Sequence, residues 1–210
     1  MDDSLSRALT EIICRRRDVR AEFSGEPLGD EEIRSLLEAA HAAPSVGNSQ
    51  PWDFVVVRDR DLLDRFATHV AQCRLDYADT LDPDRRRTFE PIKIEGIRES
   101  GLGVVATYDP TRSGPNVLGR HTIADAGVFS VVCAIQNLWL MAAARGIGVG
   151  WVSFYREPFL KELLGIPEHI RPVGWLCVGH VTRLQEVPDL IRLGWNDRIA
   201  LDDLIHDDRW

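Results

Sequence analysis

The chain has 210 residues, of which 28% are charged and 44% apolar, close to the average for a globular protein. Its formal net charge of −8 opposes binding to nucleic acid or to an anionic membrane surface. These values exclude collagen, coiled coil and disorder as descriptions of the whole chain. The length favours one domain over residues 1–210.

The four cysteines and six histidines indicate neither disulfides nor a metal centre. The sequence contains no CxxC pair, no HExxH motif and no two histidines four residues apart, and no signal peptide is recognisable. We therefore expect reduced, mostly buried thiols in a cytoplasmic protein that binds no metal.

Helical and extended patterns follow one another without the regular alternation of a doubly wound sheet. Apolar residues at helical spacing predict helices over residues 5–15, 31–41, 61–78, 124–145 and 157–164. Short apolar runs between turn residues predict strands over residues 52–58, 102–108, 149–155 and 173–181. This order favours an α+β fold, in which helices cover a sheet.

Two stretches of the chain need separate comment. Residues 80–100 are rich in Arg, Asp and Pro, are the least regular part, and are expected to form a mobile cover. Residues 127–144 are almost long enough to span a bilayer, but Ser130, Gln136 and Asn137 interrupt the apolar run. A buried helix is therefore expected, and no membrane span.

The segment from Arg15 to Arg20 reads Arg-Arg-Arg-Asp-Val-Arg, with four arginines in six residues of an acidic protein. Arginine binds phosphate through paired, charge-assisted hydrogen bonds, so the segment suits an anion. A solvated basic helix end that complements the helix dipole explains the same residues. The pattern alone does not separate these two interpretations.

Three further segments carry polar or flexible residues. The loop 44–52 offers hydroxyl and amide groups that suit the edge of a flat heterocycle, although the local pattern alone favours a plain helix-to-strand connection. The glycines of residues 146–150 have the wrong spacing for a dinucleotide motif, and are expected to end a helix and to allow close backbone approach. Ser153 is predicted to lie within a strand, without a GxSxG motif. Arg198 is either a second phosphate contact or a surface residue.

Taken in chain order, these segments resemble the nitroreductase superfamily of FMN proteins over nearly the whole chain. The resemblance rests on the basic segment, the PSxxNxQPW loop, the long apolar helix and the basic residue near the C-terminus. Asp18 stands where ordinary members have serine. With the segments 148–155 and 194–210, it makes the chain most similar to the subfamily that forms 5,6-dimethylbenzimidazole.

The resemblance implies a nitroreductase-like FMN-binding fold, a central, mostly antiparallel sheet flanked by helices, in a homodimer with FMN between the subunits. Reduced FMN, from a separate flavin reductase, is then a substrate that O2 breaks into 5,6-dimethylbenzimidazole and erythrose 4-phosphate. One alternative is an NAD(P)H-dependent FMN nitroreductase that leaves its flavin intact. The other is a flavin-binding protein without activity.

The resemblance also implies roles for individual residues. Asp18 and Ser153 form the catalytic pair, in which Asp18 moves protons as general acid or base and Ser153 hydrogen-bonds near the reactive nitrogen of the ring. Residues 80–100 act as a lid that excludes water. The expected flavin-binding residues are Asp18 and Ser153 themselves together with Arg15, Arg16, Arg17, Val19, Ser45, Asn48, Gln50 and Arg198.

Overall fold

The computed structural model describes residues 3–210. Its sheet has four strands, in the order β1-β2-β4-β3, and every neighbouring pair is antiparallel. The strands are β1 (Trp52–Val57), β2 (Gly103–Tyr108), β3 (Ile147–Val152) and β4 (Arg171–His180). The predicted α+β fold with a central antiparallel sheet is confirmed.

Eight α-helices surround the sheet in the described part of the chain. They are α1 (Asp3–Arg15), α2 (Asp30–His41), α3 (Arg60–Ala78), α4 (Pro83–Phe89), α5 (Ile97–Ser100), α6 (Ala126–Ala144), α7 (Glu157–Leu164) and α8 (Asp189–Arg192). Single 3-10 turns occur at Val46–Asn48 and Leu201–Leu204. The five helices predicted from periodicity are all present. Residues 80–100 are more regular than expected, because Asp82 caps α4 by accepting the backbone N–H groups of Asp84 and Arg85.

The two faces of the sheet bury separate cores. On one face Phe66 of α3 stacks on Trp175 of β4, with ring centroids 4.0 Å apart. On the other face α6 packs between α2 and the sheet and buries Val131, Ile135 and Leu138 completely. Among residues 3–210, α6 is the one helix long and apolar enough to cross a membrane. These contacts confirm it as a core helix.

The chain runs beside the free edge of β3 after α1, and this run positions the site. Val19 donates its backbone N–H to the carbonyl of Val149 at 3.0 Å, and Asp18 forms a parallel bridge with the same residue. Gly150 allows this approach, because a Cβ there would collide with the carbonyl oxygen of Val19. Gly146 follows α6 with a φ of +71°. Both glycine predictions are confirmed.

Two expectations about the fold were wrong. Ser153 does not lie within a strand, because β3 ends at Val152 and Ser153 is exposed in the connection to α7. The cysteines are not mostly buried, since Cys14 and Cys133 are exposed. Cys177 is completely buried, and burial raises the pKa of its thiol to about 12.

Candidate active site

Asp18 lies beside the middle of the edge strand β3, and both of its carboxylate oxygens accept hydrogen bonds. One oxygen accepts the backbone N–H of Trp151 at 3.0 Å, and the other accepts a hydrogen bond from the guanidinium of Arg20. Burial raises the pKa of Asp18, although Arg20, the Trp151 N–H and Arg16 act in the opposite direction. The carboxyl group is therefore held in place and is easier to protonate than an ordinary aspartate.

Arg20 connects the two predicted catalytic residues. Its side chain is 14% exposed, and its buried Nε has no hydrogen-bond partner among residues 3–210. It lines a cavity of about 110 Å³ together with Asp18, and a second cavity of about 170 Å³ together with Ser153. The structure thus brings Asp18 and Ser153 to neighbouring cavities that share a wall.

Half of the residues that line the cavity beside Ser153 are aromatic, and their rings come from four separate parts of the chain. They belong to Tyr77, Phe89, Trp151, Phe154 and Trp195. Phe89, Ile92 and Ile94 bring the 80–100 segment against this cavity. Arg85 of α4 lies 3.8 Å from the centroid of the Trp195 ring and donates to the Trp195 carbonyl at 3.0 Å. Flat apolar walls beside a buried guanidinium suit a planar, anionic ligand.

The three arginines at the end of α1 have different surroundings. Arg15 is exposed and pairs with Glu11 at 3.0 Å. Arg17 donates to the carbonyl of Cys14 in the last turn of α1 and to the carbonyl of Glu186 in the loop after β4. It therefore links the end of the helix to that loop. Arg16 lies over the Trp139 ring at 4.8 Å, and no hydrogen bond within residues 3–210 engages its side chain. Arg16 is therefore the one best placed to receive an anion.

The loop after α2 is held in a strained conformation away from these cavities. Asn48 and Gln50 have φ values of +50° and +45°, which are unusual for residues other than glycine. Ser45 accepts the backbone N–H of Gln50 at 3.0 Å through its hydroxyl. Gln50 lines a different cavity, a groove of about 650 Å³ beside α2 and β1. Arg198 is exposed in the tail and lines none of these three cavities.

Three residues of the site were not predicted as ligands. Arg20 stands two residues after Asp18 and donates to its carboxylate, and this spacing was a usable signal. Trp151 acts through its backbone N–H, and Trp195 reaches the site from the tail, so no local pattern marks either of them.

The residues fit part of an FMN site. The unpartnered Nε of Arg20, the unpaired Arg16 and the aromatic walls match a flat ring with a phosphate. The two cavities are nevertheless smaller than the roughly 300–1,000 Å³ of most ligand pockets. Within residues 3–210, no group of three or more His, Cys, Asp or Glu residues is arranged to hold a metal ion.

Comparison with known proteins identifies the family of this chain. The sequence profile of the Nitroreductase family matches residues 13–180. The chain is 38% identical over 202 residues to the 5,6-dimethylbenzimidazole synthase of Rhodospirillum rubrum, covering 94% of this chain and 93% of that protein.

Solved structures support the fold. A BluB-like flavoprotein from Clostridium difficile 630 superposes with a TM-score of 0.72 at 21% identity, covering 96% of this chain and 99% of the other. Iodotyrosine deiodinase bound to FMN and 3-iodo-L-tyrosine gives a TM-score of 0.75 at 18% identity, covering 96% and 100%. At these identities the likeness shows the fold alone. The family match and the 38% identical relative show that this chain belongs to the nitroreductase family.

Proposed function

We propose that this protein is a 5,6-dimethylbenzimidazole synthase, which uses O2 to fragment reduced FMN into 5,6-dimethylbenzimidazole, the lower ligand of vitamin B12, and erythrose 4-phosphate. The observation that carries the proposal is the carboxylate of Asp18, held by Trp151 and Arg20 beside the cavity of Ser153. The name of the Rhodospirillum rubrum relative supports the same reaction.

Each residue has a defined part in this proposal. Reduced FMN supplies both the electrons for O2 and the carbon atoms of the product. Arg16 binds the phosphate, whereas Arg15 and Arg17 first have to release the protein partners that they hold. Asp18, with its raised pKa, takes up and returns a proton during cleavage of the ribityl chain. Ser153 donates its hydroxyl to the ring and directs the reaction with O2.

The cover segment, residues 80–100, has a place in the same proposal. It lines the cavity of Ser153 through Phe89, Ile92 and Ile94, and Arg85 fastens it to Trp195 of the tail. Closing this segment over the flavin excludes water from the site. We propose that the cover opens to admit reduced FMN, which a separate flavin reductase supplies in the cytoplasm.

The proposal also includes a homodimer. The chain has a solvent-accessible area of 12677 Å², compared with about 9,800 Å² expected for a compact monomer of 23.7 kDa. Helix α1 buries no residue, and Phe129 of α6 is 57% exposed. A second subunit covers these surfaces and completes the small cavities. Its loop brings Ser45, Asn48 and Gln50 to the isoalloxazine, and its tail brings Arg198 to the phosphate.

The first experiment distinguishes the proposed enzyme from its alternatives. The protein is loaded with reduced FMN without oxygen, mixed with air-saturated buffer, and analysed by mass spectrometry. We expect one 5,6-dimethylbenzimidazole per flavin consumed. Intact FMN with NADPH-dependent nitro reduction identifies the nitroreductase alternative instead, and intact FMN without either activity identifies a flavin-binding protein.

A second experiment tests the catalytic pair. Asp18→Asn is expected to lower benzimidazole formation by about 10²–10⁴-fold, the usual contribution of general acid–base catalysis, with little change in FMN affinity. Ser153→Ala is expected to return intact FMN and hydrogen peroxide. Asp189→Asn is the control, because Asp189 lines the cavity of Asp18 but is paired with Arg192. Normal product from either catalytic variant removes that residue from the mechanism.

A further inference from the structure

The connection between β3 and α7 carries Ser153 and has no regular structure over residues 153–156. One hydrogen bond fastens its far end to α3, where Nε2 of His69 accepts the backbone N–H of Arg156 at 3.0 Å. The His69 ring also stacks on Phe159 of α7, with centroids 3.8 Å apart and planes 7° from parallel. The imidazole therefore holds both the end of the connection and the start of the next helix.

The side chain of Arg156 adds a second link to the same helix. It donates to Asp76 of α3 at 2.7 Å, and Gln72 donates to the other carboxylate oxygen at 2.9 Å. Both members of this ion pair are largely exposed, so solvent screens it. The connection is therefore linked to α3 twice, through the Arg156 side chain and through the backbone hydrogen bond to His69, and the second link acts directly on the backbone of the connection.

The hydrogen bond requires a neutral His69 with its proton on Nδ1, because Nε2 is the acceptor. Burial and the nearby Arg156 charge lower the pKa of His69, which favours this neutral form. The sulfur of Cys73 lies 3.5 Å from the same nitrogen, but the single lone pair of Nε2 already accepts the shorter hydrogen bond from Arg156. The described surroundings thus favour the acceptor form of the ring.

We propose that His69 is a positioning residue for Ser153. It touches neither cavity of the candidate active site, yet it fixes the backbone that presents the Ser153 hydroxyl. Tyr77 lies two helical turns further along α3 and lines the cavity of Ser153, so one helix sets both the wall and the position of the hydroxyl. The inference rests on the proposed function, in which Ser153 directs the reaction with O2.

Two substitutions of His69 separate its hydrogen bond from its stacking. His69→Phe keeps an aromatic ring against Phe159 and removes the acceptor, whereas His69→Gln keeps an acceptor and removes the ring. We expect His69→Phe to speed amide hydrogen exchange at Arg156 about tenfold and to shift the products about tenfold from benzimidazole towards intact FMN and hydrogen peroxide. His69→Gln is expected to keep the exchange rate at Arg156 and the product ratio at their wild-type values. FMN affinity is expected to change less than twofold in both variants.

The measurements are amide exchange by mass spectrometry on the flavin-loaded protein and product analysis after one turnover. Unchanged exchange or unchanged product ratio in His69→Phe overturns the positioning role, as does an equal loss in both variants. Failure of the proposed function is recognised separately, because the wild-type protein then forms no benzimidazole. In that case the exchange at residues 153–156 still decides whether His69 fixes the connection.

Discussion

Asp18 serves the proposed chemistry as a proton carrier, but its desolvated charge is expected to lower the free energy of unfolding. Burial raises the pKa of Asp18 above the ordinary value for an aspartate, so the folded protein binds a proton more tightly than the unfolded chain does. At a pH above both pKa values the ionised group opposes folding, and at a pH below both it does not. We therefore expect Asp18→Asn to melt at a higher temperature than the wild type at pH 7, with the difference shrinking towards pH 4.

Calorimetry of both proteins at pH 7 and pH 4.5 measures this effect. The asparagine keeps an oxygen that accepts the Trp151 N–H, so the comparison isolates the charge. A lower melting temperature for the variant at pH 7 means that the pairing with Arg20 outweighs the cost of burial.

Arg16 and Arg15 are neighbours in sequence with different surroundings, and they form a matched pair for testing phosphate binding. Arg16→Ala is expected to weaken FMN binding by about 1.5–3 kcal/mol, the range for a hydrogen bond to a charged group. Arg15→Ala is expected to change it by less than about 0.5 kcal/mol, because Arg15 is an exposed partner of Glu11. Titration with FMN and with riboflavin, which has no phosphate, checks that Arg16 binds the phosphate. Equal losses of affinity for the two flavins contradict it.

The sequence alone was enough to propose Asp18 and Ser153 as catalytic residues, because they stand within segments that resemble a known family. It was not enough to predict the hydrogen bond from Trp151, which depends on the pairing of the 18–19 segment with β3. The different surroundings of the three arginines also depend on tertiary structure, since Arg17 is held by a carbonyl 169 residues away.

At the scale of elements, we propose that the contact between α4 and the tail controls access to the aromatic cavity. Arg85→Ala removes a ring contact and a hydrogen bond, together about 1.4 kcal/mol, and we expect FMN to dissociate about tenfold faster. Arg87→Ala is the control on the same helix, because Arg87 pairs only with Asp84 at the surface. Stopped-flow flavin fluorescence measures both rates, and identical rates show that the contact does not restrain the cover.

Element boundaries were predictable where local signals were strong. The helix that ends at Gly165 was predicted correctly, because a glycine with positive φ follows it. The predicted strand ran too far, to residue 155, because aromatic residues continue the extended pattern although pairing with β4 stops at Val152. Helix α4 was missed because the charge and proline content of residues 80–100 obscured the Asp82-Pro83 start signal.

At the scale of the whole molecule, the large exposed area predicts association. Phe129→Asp is expected to convert the proposed dimer to a monomer and to weaken FMN binding at least tenfold, since a charge opposes burial of the α6 surface. Leu75→Asp is the control, because Leu75 is similarly exposed on α3, on the opposite side of the sheet. Sedimentation of both variants measures the outcome. A monomeric wild type that binds FMN contradicts the dimer.

The close approach of Gly150 to Val19 limits how this pocket can be redesigned. Every other residue type places a Cβ against the Val19 carbonyl, so a library that varies position 150 is expected to return only glycine among folded clones. Trp151 follows directly, and its backbone N–H donates to Asp18. Substituting the Trp151 side chain therefore does not move this donor. New specificity therefore has to be built from side chains of the cover and the tail that line the cavity, and not from the main-chain frame at residues 150 and 151.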